Sequence, residues 1–209
     1  MLKNLIFCLL PFMAVASWEE VAVKGLDVVI SANVGDSENF KSSLSTLIER
    51  AAGEYERTGM QDYELDLPGY ITERAGKKSV AVQNMRRLCV KKLGTAIKPL
   101  KNLILTKIKD MSEADTEAVM SGEVLFSHYL RTNAFDEIYE ILRPLARSLG
   151  SDAGFAESYK NAVGKEPGED FSSEFSSALI NESFDFLSKN EMEFRKNSGA
   201  ILNAIKKAR

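Results

Sequence analysis

Residues 36–57, DSENFKSSLSTLIERAAGEYER, decide the fold class of this chain. Apolar side chains recur there every three or four residues, which is the period of one face of an α-helix. Asp36 and Ser37 stand ahead of the first apolar residue, and short polar side chains of this kind accept hydrogen bonds from the free N–H groups of a first helical turn. We therefore predict an amphipathic helix that ends near Arg57, with these residues facing inward: Phe40, Leu44, Leu47, Ile48, Ala51 and Tyr55.

The same spacing recurs along the chain and predicts an all-α protein. The segment LDLPGY at residues 65–70 interrupts the pattern. Because the residue before a proline disfavours the helical conformation, we predict a loop there. The sequence contains no internal repeat and no low-complexity tract, so we expect a compact bundle of about seven helices. Further helices are predicted to start near Ser79, Pro99, Ser112, Glu123, Thr132, Asp152 and Asp170.

Residues 123–149 are predicted to form two helices. A short helix over Glu123–Arg131 would end where Thr132 can cap a second one. Pro144 lies inside the second apolar series, and a proline at such a position removes one backbone hydrogen bond and bends the helix. We therefore expect a break near Thr132 and a kink near Pro144.

The N-terminus has the three parts of an export signal. Lys3 is followed by the apolar run Leu5–Met13 and then by Ala14-Val15-Ala16, which is the order found in secretory signal peptides. The apolar run has about nine residues, whereas a helix that crosses a bilayer needs roughly 20. We predict a signal peptide over residues 1–16 that is cleaved after Ala16, and a periplasmic or secreted mature protein.

The mature chain is predicted to consist of an N-terminal arm over 17–35 and a helical domain over 36–209. The arm contains an apolar stretch of mixed periodicity that is compatible with a strand, a short helix or an extended segment. Cleavage of the signal removes Cys8 and leaves Cys89 as the remaining thiol, so an intramolecular disulfide is excluded. Cys89 follows an apolar residue on the inward side of its helix and is predicted to be a small core residue.

Basic residues are concentrated in the middle of the chain. Residues 70–110 hold 11 Lys and Arg against 2 Asp and Glu, whereas the whole chain has a net charge of −3. Such a block either pairs with the acidic parts of the chain or forms a surface for an anionic lipid, an envelope polymer or a protein. Nucleic acid is an unlikely partner, because the chain is acidic overall and the block lacks a series of aromatic side chains for base stacking. The candidate anion-binding residues are Arg86, Arg87, Lys91, Lys92, Lys98 and Lys101.

Several short motifs in a fixed order resemble a known family. They are IKDMSEADTEAVMSG at 108–122, HYLR at 128–131, LRP at 142–144, FDFL at 184–187 and EMEFRKN at 191–197, with LDLP at 65–68 upstream. Over roughly residues 40–205 the chain resembles a bacterial family catalogued as domain of unknown function 4197. The chain departs from the family pattern at 84–88, which reads NMRRL in place of Asn-Arg-Ala-Ala-Glu, at Leu130 in place of Phe, and at Ser198 in place of Pro.

The resemblance implies a helical, exported protein of the bacterial cell envelope, and it implies no reaction. It also singles out polar residues on otherwise apolar helix faces, where an arginine needs a carboxylate or a helix C-terminus nearby. One interpretation is an ion-pair network that sets the register of the helices, in which Glu191 pairs with Arg195 one turn away. The other is an anion or ligand pocket lined by Arg131 and Arg143. The residues concerned are Asp115, Tyr129, Arg131, Arg143, Glu191 and Arg195.

The supply of catalytic side chains is small. His128 is the single histidine, so neither a zinc site of cysteines and histidines nor a Ser-His-Asp triad can be assembled convincingly. We predict no catalytic residue, metal or cofactor, and favour a non-catalytic binding or interaction module. The alternatives are a hydrolase that uses carboxylates such as Asp115 with Tyr129 or His128, and an assembly protein that uses the apolar segment 18–30.

Overall fold

The structure is a computed structural model that describes residues 36–58 and 67–207, without the side chains of residues 51, 54–58, 186, 190 and 193–207. The predicted signal peptide over 1–16, the predicted arm over 17–35, and Leu65 and Asp66 of the predicted loop lie outside the described residues.

The described residues form an all-α bundle, as predicted, and contain no strand. A 3₁₀ turn at Gly94–Ala96 separates the third helix from the fourth. The turn begins at the glycine that stands ahead of Pro99 in the sequence. The helices are α1 at Ser37–Thr58, α2 at Gly69–Ala75, α3 at Val80–Leu93, α4 at Ile97–Lys109, α5 at Glu113–Ser121, α6 at Phe126–Gly150, α7 at Ala153–Val163 and α8 at Phe171–Lys207.

Most helix starts lie where the short polar residues predicted them. Asp36, Ser79, Ser112 and Asp152 each accept a hydrogen bond from the backbone N–H three residues later, at 2.9–3.3 Å. These bonds satisfy N–H groups that have no partner inside the helix. At the end of α5, Gly122 has φ +86°, a left-handed conformation that glycine adopts without steric cost.

The prediction was wrong about α2 and about the break in α6. Pro68 accepts the first hydrogen bonds of α2, and Gly69, predicted to lie in a loop, begins that helix. The Gly69 N–H donates to the Glu182 carboxylate of α8 at 2.8 Å. The long helix α6 continues without interruption through Thr132 and Pro144. Its contact with α8 is the most extensive between two helices of the bundle, so tertiary packing outweighs the local preference for a break.

One hydrophobic core joins the described helices. The helix α1 packs on α4 and α5, while α7 packs on α2 and α3. Four buried rings, those of Phe155, Tyr159, Phe171 and Phe175, connect α7 to the start of α8 with centroid distances of 5.2–6.2 Å. Cys89 is fully buried in this core, as predicted. Among the described helices, none has both the length and the apolar character that a membrane span needs.

Candidate functional site

Glu191 is a residue of α8. Its carboxylate lies at the N-terminus of α6 and joins the two helices. One carboxylate oxygen accepts the Phe126 N–H at 2.8 Å, and the other accepts the Ser127 N–H at 3.0 Å and the Ser127 hydroxyl at 2.8 Å. The side chain is buried, with 7% of its surface exposed. An anion at this position is stabilised by the free N–H groups and by the positive end of the helix dipole. Glu191 therefore supplies from within the chain the anion that this helix end attracts.

Arg131 is held between α6 and α8. Its guanidinium donates to the Asp185 carboxylate at 2.7 Å and to the Asn181 side-chain oxygen at 2.6 Å. Both partners lie on α8, one turn apart. These contacts join α6 to α8.

Arg131 and Arg143 do not line one pocket. They lie twelve positions apart on α6, which is about 18 Å along a helix axis. The guanidinium of Arg143 lies 5.8 Å from the centre of the Tyr139 ring and 3.6 Å from the Glu140 carboxylate. The predicted pairing of Arg195 with Glu191 lies outside the described residues, because the Arg195 side chain is not described.

Tyr129 and Asp115 each complete a helix end. The Tyr129 hydroxyl donates to the Lys107 carbonyl in the last turn of α4 at 3.0 Å. Burial raises the pKa of the Tyr129 phenol, and the charges of Asp115 and Asp110 raise it further. Asp115 accepts a hydrogen bond from the Ser112 hydroxyl at 2.6 Å in the first turn of α5. Because its pKa is raised, the Tyr129 phenol stays protonated and acts as a hydrogen-bond donor.

The side chains proposed for hydrolysis do not form an enclosed site. Tyr129 is buried, whereas His128, the next residue of α6, is exposed. Asp115 is exposed at the start of α5. Among the described residues, no group of three or more His, Cys, Asp or Glu side chains could hold a metal ion.

A pair of tyrosines that the sequence analysis did not predict meets between α2 and α7. Tyr70 keeps 37% of its surface exposed, but partial burial raises the pKa of its phenol above the ordinary value, and the neighbouring Tyr159 and the charge of Glu174 raise it further. Burial also raises the pKa of Tyr159. Both phenols therefore stay protonated over the physiological pH range and do not supply a phenolate nucleophile.

The predicted basic patch is divided by the fold. Arg86, predicted to point outward, is 9% exposed and donates to the Lys77 carbonyl at 3.3 Å. Its helix position faces the bundle because it follows Met85 and Val82 on the buried side of α3. Lys101 is half-buried on α4. The exposed members of the set are Arg87, Lys91, Lys92 and Lys98, which lie on α3 and on both sides of the turn at 94–96.

An open groove of about 500 Å³ runs between α3 and α7 and includes part of this basic surface. Ala81 and Leu88 contribute apolar surface, and Val80 keeps 76% of its surface exposed at the start of α3. The two helices face each other at Gly154, where an added Cβ would make an ordinary van der Waals contact of 3.8 Å with the Leu88 side chain. The polar residues of the groove are Asn84, Arg87, Glu157, Ser158 and Asn161.

The groove was not predicted from sequence, because its two sides lie roughly 70 residues apart along the chain. The exposed valine at the first position of α3 is a signal that could have indicated it. The Glu157 and Asn161 side chains form no hydrogen bond with any residue that the structure describes. The groove therefore presents polar groups that a partner could satisfy.

Comparisons with known proteins gave no relative: no protein-family model, curated protein or solved structure matches the chain. The resemblance to domain of unknown function 4197 stays a prediction.

Proposed function

We propose that this protein is an exported, non-catalytic interaction module of the bacterial envelope whose groove between α3 and α7 binds an acidic segment of an envelope protein. The observation that carries the proposal is the groove itself, which combines apolar surface with one lining cation, Arg87, one lining carboxylate, Glu157, and further polar groups. Export to the periplasm or the cell exterior is part of the proposal and is supported by the N-terminal sequence.

The chemistry of the groove favours a partner with an apolar anchor and carboxylates. Val80, Ala81 and Leu88 offer surface that an aliphatic side chain would remove from water, at roughly 25 cal/mol per Å² buried. Arg87 is exposed on the same wall, and Lys91 follows it one turn later on the same face. Carboxylates on the partner would pair with these cations, and an arginine binds a carboxylate with two parallel hydrogen bonds.

Two charge reversals test the groove. The mature protein and its Arg87→Glu and Lys189→Glu variants would be immobilised and exposed to the envelope fraction at low and moderate salt. Lys189 is an exposed lysine of α8 that does not line the groove. Lys189→Glu changes the net charge by the same amount as Arg87→Glu. We expect a salt-sensitive protein partner that is retained by the wild type and by Lys189→Glu, and lost with Arg87→Glu.

The proposal fails if the wild type retains no partner at either salt concentration, or if both reversals weaken retention equally. Vesicles of anionic lipid serve as a separate arm, because binding to vesicles alone would identify a lipid surface in place of a polypeptide.

Intact mass of the exported protein tests the compartment independently. A chain that starts at Ser17 is expected, and a membrane-retained chain that keeps Met1 would contradict export.

A further inference from the structure

The groove between α3 and α7 carries one positive and one negative charge at the same end. Leu88, near the end of α3, faces Gly154, near the start of α7. Arg87 stands next to Leu88, and Glu157 follows Gly154 by less than one helical turn. Both charged side chains are exposed. This end of the groove therefore offers opposite charges on its two walls.

These two charges are not paired with each other. Within residues 36–58 and 67–207, the Glu157 carboxylate forms no hydrogen bond and no ion pair. The Arg87 guanidinium makes one long hydrogen bond there, to the Asn84 side-chain oxygen at 3.5 Å. A ligand that carries both signs would give each charge a partner of the kind that forms strong hydrogen bonds. The groove therefore suits a segment with an ammonium group as well as carboxylates.

The other end of the groove is apolar. Val80 and Ala81 line it in the first turn of α3, and Val80 keeps 76% of its surface exposed. From Val80 to Leu88 the wall extends over eight positions, which is about 12 Å along a helix axis. An extended chain advances at most about 3.3–3.6 Å per residue, so about four extended residues cover this length. A short peptide segment would therefore contact both ends of the groove.

The N-terminal segment of the mature chain has this combination of groups. It reads SWEEV at residues 17–21. Cleavage after Ala16 gives Ser17 a free ammonium group, so the segment holds an ammonium, two carboxylates, an indole and a valine side chain. Residues 22–35 connect it to the start of α1 and can extend to about 50 Å. A compact domain of this size has a radius of gyration of about 16 Å, so the segment can reach the groove.

We propose that the mature N-terminus, residues 17–21, occupies the groove of its own chain as an intramolecular ligand. The Ser17 ammonium pairs with Glu157, and the carboxylates of the two adjacent glutamates pair with Arg87. The Trp18 indole covers the apolar surface of α3. The inference rests on the proposed function for the groove chemistry and for the cleavage that frees the ammonium group. An envelope partner with carboxylates and an apolar anchor then competes with this segment for one groove.

Fluorescence tests this contact directly, because Trp18 is the single tryptophan of the chain. Emission wavelength and acrylamide quenching would be measured for the full mature protein and for two groove variants. Val80→Asp removes apolar surface at an exposed position, and an acidic residue in the first turn is compatible with the helix dipole. Arg87→Glu reverses the lining cation. We expect both variants to shift Trp18 emission to longer wavelength and to increase quenching, and Arg87→Glu to lower the docking equilibrium constant at least about threefold.

Lys189→Glu is the matched control, since it reverses an exposed cation of α8 outside the groove, and it should leave Trp18 emission and quenching unchanged. A wild-type Trp18 that acrylamide quenches as strongly as free N-acetyltryptophanamide would overturn the proposal. Quenching that neither groove variant changes would overturn it as well. Emission that depends on protein concentration would place the segment in the groove of a second copy and refute the intramolecular contact.

Partner retention separates this inference from the proposed function. Trp18→Ala removes the largest apolar group of the segment, so the variant should retain more of the envelope partner than the wild type does. An exposed Trp18 together with a partner that Arg87→Glu releases would refute the intramolecular contact and leave the proposed function standing. A shielded Trp18 that Arg87→Glu exposes, with no partner retained at either salt concentration, would support the intramolecular contact and refute the partner.

Discussion

Replacing Glu191 with alanine removes the acceptor for two backbone N–H groups and one hydroxyl at the start of α6. Loss of a helix N-cap costs about 1 kcal/mol, with an upper range of about 2. A buried donor left without a partner costs about 1–3 kcal/mol, and the Ser127 hydroxyl keeps a neighbour in Ser188 at 3.1 Å. We therefore expect Glu191→Ala to lower the free energy of unfolding by about 3 kcal/mol. For a chain of this length the melting temperature should fall by roughly 6–12 °C.

Urea unfolding followed by circular dichroism at 222 nm measures this loss directly. Glu191→Gln keeps one carbonyl oxygen as an acceptor and should cost about half as much. Lys189→Ala, an exposed change two residues earlier on α8, should lie within about 0.5 kcal/mol of the wild type. If Glu191→Ala proved as stable as Lys189→Ala, the carboxylate would not hold the two helices together and the reasoning would be refuted.

Three further predictions concern packing, acid stability and thiol reactivity. Gly150→Ala places a Cβ 2.7 Å from the Phe171 ring, so thermal denaturation should show a loss of about 1–3 kcal/mol. The hydrogen bond from Lys107 lowers the pKa of Glu137 below its ordinary value of 4.5. The stability that this ion pair contributes is therefore present above pH 4.5 and is lost as the pH falls through the lowered pKa of Glu137. The Glu137 side chain is 49% exposed and is therefore screened by solvent, so Glu137→Gln should remove less than about 1 kcal/mol of this pH dependence in acid titrations. Burial raises the pKa of the Cys89 thiol far above its ordinary value, so iodoacetamide should modify it in urea and spare it in the native protein; rapid native modification would contradict its burial.

Local sequence signals predicted helix starts well, because capping is a local interaction. Asp36, Ser79, Ser112 and Asp152 each bond to a backbone group three residues away, so the same few residues contain both donor and acceptor. The apolar period likewise predicted four buried positions of α1, namely Phe40, Leu44, Leu47 and Ile48, and missed the buried Ala52. Thr132 shows where this reasoning fails, since a residue that can cap a helix does so only when the preceding residues leave the helical conformation.

The candidate sites were less predictable, because they depend on which distant segments meet. Arg131 and Glu191 were predicted as polar residues on apolar faces, but the partners that the structure gives them lie about 50 and 65 residues away and were not predicted. Arg86 was assigned to the surface because helical spacing alone does not show that α3 has neighbours on that side as well. The groove depends on the meeting of α3 with α7, and no short motif contains residues of both helices.

The sequence by itself determined the all-α class, the starts of most helices and the inward face of α1, since these follow from local hydrogen bonding and from the period of apolar residues. It also placed the predicted export signal and the basic block along the chain. The tertiary structure alone decided that Glu191 and Glu182 satisfy the N-termini of other helices, that Arg131 bridges α6 and α8, and that an open groove forms between α3 and α7. These features depend on the packing of α8 and α7 against segments remote in sequence, and such packing is set by the sum of many contacts that no single segment contains.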